Sequence, residues 1–346
     1  GLIHILICNT KIGKKSDMTK SWALGFAACH KQELFVAQEL INKVKSKCCG
    51  IKGLYKLCIP APPSLNINKN DFDKPKDQRE LAQTMPWREI ALLRIKFFLN
   101  NMKICYIVAM EAEAAPFIEH YGVKKVPGAF SPLPCQLYEK RFDDTHSLYI
   151  VTNGTQHGSS LVGCEAAAVT TLKAIESLQP DVIVNSGTCG AFKANGAKIG
   201  DVYIGHSVMF HDRRVMGDDE WGTQALGNYP LFDGKERLAK NLGMKMGKVT
   251  TGSSLDMQPC DLEIIKENGG ELKDMEAAAV AFVCSLFSMP CLLVKSVTDL
   301  LDGGADTLEE FRANLSYASS ELAKANVRVV RYLLDNNITR NIEDAH

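Results

Sequence analysis

Lys273-Asp274-Met275-Glu276-Ala277-Ala278-Ala279, followed by Lys295-Ser296-Val297-Thr298-Asp299, is the stretch on which the fold turns. The residues between them predict a helix over 280–287 and a buried strand over 291–297. Glu276 then stands at the mouth of a helix and Asp299 at the end of a strand. In an α/β fold both acids are aimed at one crevice beyond the carboxyl ends of the strands. Two acids in one crevice suit cleavage of a glycosidic bond, one giving a proton and the other stabilising positive charge. An acidic helix start beside a strand-end turn is the plainer reading of the same residues.

Working outward, the alternation of helix and strand patterns begins at Met102. Residues 103–110 form an apolar strand run, and Glu111-Ala112-Glu113-Ala114-Ala115 opens a helix behind it. Strands are predicted over 136–138 and 147–151, and a helix over 159–178 that Pro180 stops. A further strand, 181–185, ends in Ser186-Gly187-Thr188-Cys189-Gly190. Strands at 201–208 and 248–251, a helix at 261–268 and a long amphipathic helix at 307–336 complete the pattern. Such alternation predicts an α/β three-layer sandwich, a mixed central β-sheet covered by helices on both faces.

The formal net charge of zero hides an asymmetry. Residues 1–101 carry 17 basic and 8 acidic side chains, a net of +9, whereas 102–346 carry 23 and 32, a net of −9. A polar, Pro-rich connector over 60–79 lies in the basic part. The acidic body argues against general affinity for nucleic acid or a membrane surface. The 12 cysteines show no CxxC pairs and no Cys/His ligand spacing, which predicts reduced thiols of a cytoplasmic protein and no metal site. His157, His206 and His211 have no ligand spacing either. The run Leu2–Cys8 lacks the flanks of a signal peptide, and no apolar stretch reaches membrane-spanning length.

Residues 1–101 read as an N-terminal extension of unknown role, and 102–346 as the compact catalytic domain. Segments 31–47 and 87–99 fit amphipathic helices, and Trp22 with Phe26 forms a small apolar patch. The chain opens on Gly1, which suggests an incomplete, processed or tagged N-terminus, and Met102 looks like a natural start for the domain.

Five blocks together resemble the 5′-methylthioadenosine/S-adenosylhomocysteine nucleosidases. They are Ala109-Met110-Glu111-Ala112-Glu113, Asn185-Ser186-Gly187-Thr188-Cys189-Gly190, Phe210-His211-Asp212-Arg213-Arg214, Asp274-Met275-Glu276-Ala277-Ala278-Ala279 and Ser296-Val297-Thr298-Asp299. The likeness covers about residues 102–338. It implies a nucleoside phosphorylase fold, a homodimer, a small nucleoside as the only partner besides a second copy, no cofactor, and irreversible release of adenine in methionine salvage.

The resemblance also implies roles. Asp299 matches the general acid that protonates N7 of adenine, which requires a raised pKa. Glu276 matches the residue that holds the ribose hydroxyls, with Met275 against the sugar. Its carboxylate would also stabilise the developing oxocarbenium ion. Glu113, preceded by Met110 at the substrate, matches the acid that orients and deprotonates the attacking water. Lys295 stands where a basic residue lies near that water and would balance two repelling glutamates. Thr188, Cys189 and Gly190 match the loop lining the base and ribose pocket. Ser254, Leu255 and Asp256 match the segment that reads the adenine edge, with Leu255 replacing an aromatic stacker. Thr155 and Gln156 match a loop that approaches the sugar.

Simpler alternatives accompany these roles: a helix-capping Asp299, a solvated first-turn Glu113 and a strand-end Lys295 reaching to solvent. Arg213 and Arg214 invite a phosphate-binding reading, but the adjacent Asp212 favours local ion pairing. The rival functions are a purine nucleoside phosphorylase on the same fold, and a non-catalytic nucleoside-binding or storage protein.

Overall fold

The computed structural model describes residues 102–214, 220–304 and 306–336. The extension at 1–101, with its two expected helices and the Trp22–Phe26 patch, lies outside the described residues, as does part of the loop after Arg214.

The central sheet has nine strands. β1 (Met102–Val108), β2 (Lys124–Val126), β3 (Gln136–Arg141) and β4 (His146–Thr152) come first. β7 (Val182–Ala191), β8 (Val202–Phe210), β9 (Lys245–Thr251), β10 (Leu272–Asp274) and β11 (Cys291–Leu300) follow. Their order is β10-β9-β8-β11-β7-β1-β4-β3-β2. The centre, β4-β1-β7-β11, is parallel, and β8 runs antiparallel to β11. β10 also pairs with β7, antiparallel, so β7, β11, β8, β9 and β10 close on themselves. That closure was not legible in the sequence, because three-residue β10 is too short to show a period. β5 (Thr155–Gln156) and β6 (Ser159–Ser160) form a separate small hairpin.

Helices cover both faces, as expected for a three-layer sandwich. On one face Phe117 of α1 (Glu111–Tyr121), Leu238 of α4 (Lys235–Leu242) and Val329 and Leu333 of α7 (Thr307–Asp335) bury against Ile104, Tyr106 and Val184. On the other, Ala167 and Ile175 of α2 (Cys164–Leu178) and Val280 and Cys284 of α6 (Ala277–Leu286) meet Ile107, Ile183 and Leu293. Full burial of a side chain such as Val, Leu or Phe contributes ~1.5–3 kcal/mol, so two dry faces hold the central strands in register. α3 (Glu220–Leu226) and α5 (Pro259–Glu267) complete the α-helices among the described residues.

Of the expected boundaries that move, three do so for a clear local reason. The helix expected from 159 starts at Cys164, because Gly163 has φ +95 and Ser159–Ser160 are drawn into the hairpin. The strand expected to stop at 185 continues to Ala191, so Ser186–Gly190 are strand and not turn. The strand expected to stop at 297 continues to Leu300, and Asp299 lies within it, just past a register shift between Val297 and Asp299. Small and polar residues in both stretches mimic turn composition while being paired on either side.

Candidate active site

Glu113 sits in the first turn of α1 yet is 5% exposed. Its Oε2 accepts from the Met110 amide at 3.2 Å, and its Oε1 accepts from both the amide and the hydroxyl of Thr188 at 2.7 Å. The solvated first-turn reading is therefore wrong: three donors pin this carboxylate. Thr188, expected to line the substrate pocket, spends its hydroxyl on Glu113. A Cβ at Gly187 would stand 3.3 Å from Glu113 Oε1 and 3.7 Å from Lys295 Nζ, so the acid and the lysine crowd over one glycine.

Lys295 is mid-strand in β11 and fully buried, which removes the solvent-seeking alternative. Its Nζ lies 2.6 Å from Asp274 Oδ2. Burial alone pulls the ammonium down, but the carboxylates of Asp274, Glu276 and Glu113 outweigh it and hold the pKa above its ordinary value. The expected balancing of two glutamates is thus modified: Asp274 takes the direct ion pair, and the glutamates act at longer range. Asp274 also accepts from Thr251 Oγ1 at 2.5 Å and from the Ala277 amide at 2.8 Å. It therefore caps α6, and Glu276, although in the N-cap position, is left free of that duty.

The Glu276 carboxylate accepts from the Gly163 amide at 2.8 Å. Burial, then Asp274 and Glu113, push its pKa up to about 7, against the opposing pull of Lys295 and the Gly163 amide. Beside it the Cys164 thiol donates to the Met275 carbonyl at 3.4 Å.

Asp299 is 4% exposed, and its Oδ1 accepts from Thr298 Oγ1 at 2.7 Å. Burial raises its pKa, Thr298 lowers it, Glu310 raises it and Lys273 lowers it, with a net rise above the ordinary 3.8. The cap of α7 is Asp306, which accepts from the Glu309 amide, so Asp299 is not a helix cap. Its register partner on β7 is Gly190, where a Cβ would come 2.5 Å from Asp299 Oδ2. Between Gly187 and Gly190 lies the buried Cys189, whose thiol feels the charges of Lys295, Asp299, Asp274 and Glu113. The end of β7 thus has one expected acid over Gly187 and another over Gly190, and Lys295 and Asp274 link the first of these to Glu276.

Other expected residues fall differently. The Leu255 and Ser254 carbonyls accept from the buried Lys273 Nζ at 2.9 and 2.7 Å. Asp256 is exposed and bonds to Gln258. Thr155 is exposed and pairs with Ser160 in the small hairpin, away from the hydrogen bonds that hold the acids. Asp212 accepts from the Ser253 amide at 2.6 Å, while Arg213 stacks over Phe210 at 4.6 Å and bonds the Tyr229 hydroxyl at 3.3 Å. The expected pairing of Asp212 with its neighbouring arginines is thereby corrected. His211 is buried against Thr250 at 3.0 Å. Among the described residues, no group of three or more His, Cys, Asp or Glu is arranged to hold a metal ion. No helix among them is long and apolar enough to cross a membrane.

Sequence reasoning passed over Asp274 as a participant, together with Gly163, Thr298 and Lys273. The signal for Asp274 was present: a second acid two residues before Glu276 needs a cation, and Lys295 stands within an apolar strand run.

A mixed sheet partly closed on itself, with three buried carboxylates around the end of β7, defines a class. Residues 103–331 match the Phosphorylase superfamily, and the chain belongs to it. Within that class it belongs to the 5′-methylthioadenosine/S-adenosylhomocysteine nucleosidases. The 5′-methylthioadenosine nucleosidase of Arabidopsis thaliana is 37% identical over 242 residues, covering 68% of this chain and 89% of that protein. The 5′-methylthioadenosine/S-adenosylhomocysteine nucleosidase of the same plant is 37% identical over 238 residues, 66% of this chain and 91% of that one. The apo structure of Arabidopsis thaliana 5′-methylthioadenosine nucleosidase superposes with a TM-score of 0.65 at 35% identity, covering 70% of this chain and 99% of that one.

Proposed function

We propose that this chain hydrolyses the N-glycosidic bond of 5′-methylthioadenosine, with or without S-adenosylhomocysteine, to adenine and the thioribose. Asp299 gives its proton toward N7 of the leaving purine, and burial raises its pKa above the ordinary carboxylate value, which favours the protonated form that such a donor needs. Glu276 receives the ribose hydroxyls and, on ionising, stabilises positive charge on the sugar. A pKa near 7 keeps its charge available at little cost as that cation develops. Glu113, fixed by Met110 and Thr188, takes the proton of the attacking water, and Lys295 steadies the excess negative charge.

The observation that carries the choice of water is Glu113. A buried carboxylate where phosphate would have to sit repels that anion, so a phosphorylase is disfavoured. Adenine release measured in phosphate-free buffer tests this. Turnover that needs added phosphate would replace the hydrolase by a phosphorylase, and tight nucleoside binding without any release would favour a storage protein.

The same reading extends to a role in methionine salvage, in the cytoplasm, as a homodimer. A dimer is supported by an exposed apolar face on α2 and α6, where Val169, Leu172, Phe282 and Leu286 are 40–65% exposed. Sedimentation of Leu286→Asp beside the wild type checks it: a monomer is expected only for the variant. The cytoplasmic assignment is supported by seven free thiols among the described residues.

A further inference from the structure

Lys273 belongs to a strand of only three residues, yet it is 5% exposed and its charge has been spent in one direction. Its ammonium donates to two successive carbonyls, Ser254 at 2.7 Å and Leu255 at 2.9 Å. A buried lysine is costly unless its donors are used, so this latch fixes the loop backbone firmly. Its strand register matters as much. On one side of β7, Lys273 pairs with Gly190; on the other, Asp299 pairs with the same Gly190. One glycine therefore separates the lysine from the proton donor.

We infer that Lys273 is a positioning residue that ties the 254–255 loop to the Asp299 side of the cleft, so that seating the base and protonating it are coupled. This rests on the proposed hydrolysis, and deepens it by naming what aligns purine and proton donor. The charged groups around the pair are few. Asp299, Asp274, Asp256 and Asp261 act on Lys273, and Lys273 in turn acts on His211. Lys273, Glu310 of α7 and the Thr298 hydroxyl act on Asp299, and Cys189 of β7 faces it. Lys273 is the cation in that second set. Its removal leaves Asp299 holding its proton to higher pH, and leaves two loop carbonyls without their donor.

The test is Lys273→Gln beside Lys273→Arg, read as pH profiles of kcat/KM and as inhibition by adenine. In Lys273→Gln the adenine inhibition constant and KM rise about tenfold, equivalent to ~1.4 kcal/mol. The alkaline limb of kcat/KM moves upward by ~0.5 pH unit or more. Lys273→Arg keeps the limb where the wild type has it. A Gln variant with unchanged limb and unchanged adenine inhibition overturns the inference. If Lys273→Gln does not fold, Lys273→Arg decides alone: a displaced limb with the charge retained refutes the coupling. A wild-type chain that binds adenine but releases none sinks the hydrolase reading instead. Adenine affinity of Lys273→Gln by calorimetry then still decides the latch.

Discussion

Asp299→Asn separates proton donation from everything else Asp299 does. The amide has the same shape, its oxygen can keep accepting from Thr298 Oγ1, and it fits the same space beside Gly190. Nucleoside affinity should therefore change by no more than a few-fold. The chemical step loses its acid, which is typically worth ~10²–10⁴-fold, or ~2.7–5.4 kcal/mol at 1.36 kcal/mol per decade. Stability moves the other way. The folded-state pKa of Asp299 is raised, so the native chain binds that proton more tightly than the unfolded chain. Its stabilising contribution is full below the unfolded value of 3.8 and is lost as pH rises through the folded value. Asn mimics the protonated acid and is spared that loss, so the variant should melt above the wild type at pH 7. Initial rates of adenine release at saturating 5′-methylthioadenosine, with thermal melting on the same samples, give both quantities. A kcat within tenfold of wild type would refute the assigned role, and a lower melting temperature would refute the account of burial.

Glu276→Gln should raise KM and lower kcat together, because the sugar is held in both ground and transition states. It should also melt higher than wild type at pH 8, with the difference closing below pH ~4.5, since the folded pKa near 7 exceeds the unfolded value. Lys295→Met leaves Asp274 buried without its cation and should cost ~3–5 kcal/mol in urea unfolding. Adding Asp274→Asn should recover part of it, and full additivity of the two losses would show that they do not interact. Gly190→Ala would drive a methyl into Asp299 and Leu301, so turnover should fall by at least ~10-fold while circular dichroism is unchanged. Wild-type kcat in that variant would place Asp299 away from Gly190.

Much of the fold was legible because its strands are apolar runs and its helices carry a 3.6-residue period. β1, β4, β8, β9 and α7 lie close to where hydrophobic spacing puts them. Of the candidate site, the sequence offered Glu113, Glu276, Asp299 and Lys295, which stand in short blocks whose residue types match a known chemistry. Boundaries failed where small polar residues carry strand structure, as in Ser186–Gly190. Such residues are there because Glu113, Lys295 and Asp299 need the room, and that need is set by strands distant in sequence.

The sequence by itself determined the layered α/β plan and singled out Glu113, Glu276 and Asp299 as candidates, since periodicity and residue chemistry are local properties. Only the tertiary structure decided their states. Asp274 captures Lys295, caps α6 and releases Glu276 to the Gly163 amide, while β10 closes against β7 and brings Lys273 beside Asp299. Charge, burial and hydrogen-bond partners depend on distances through space, and those distances come into being only when the sheet closes.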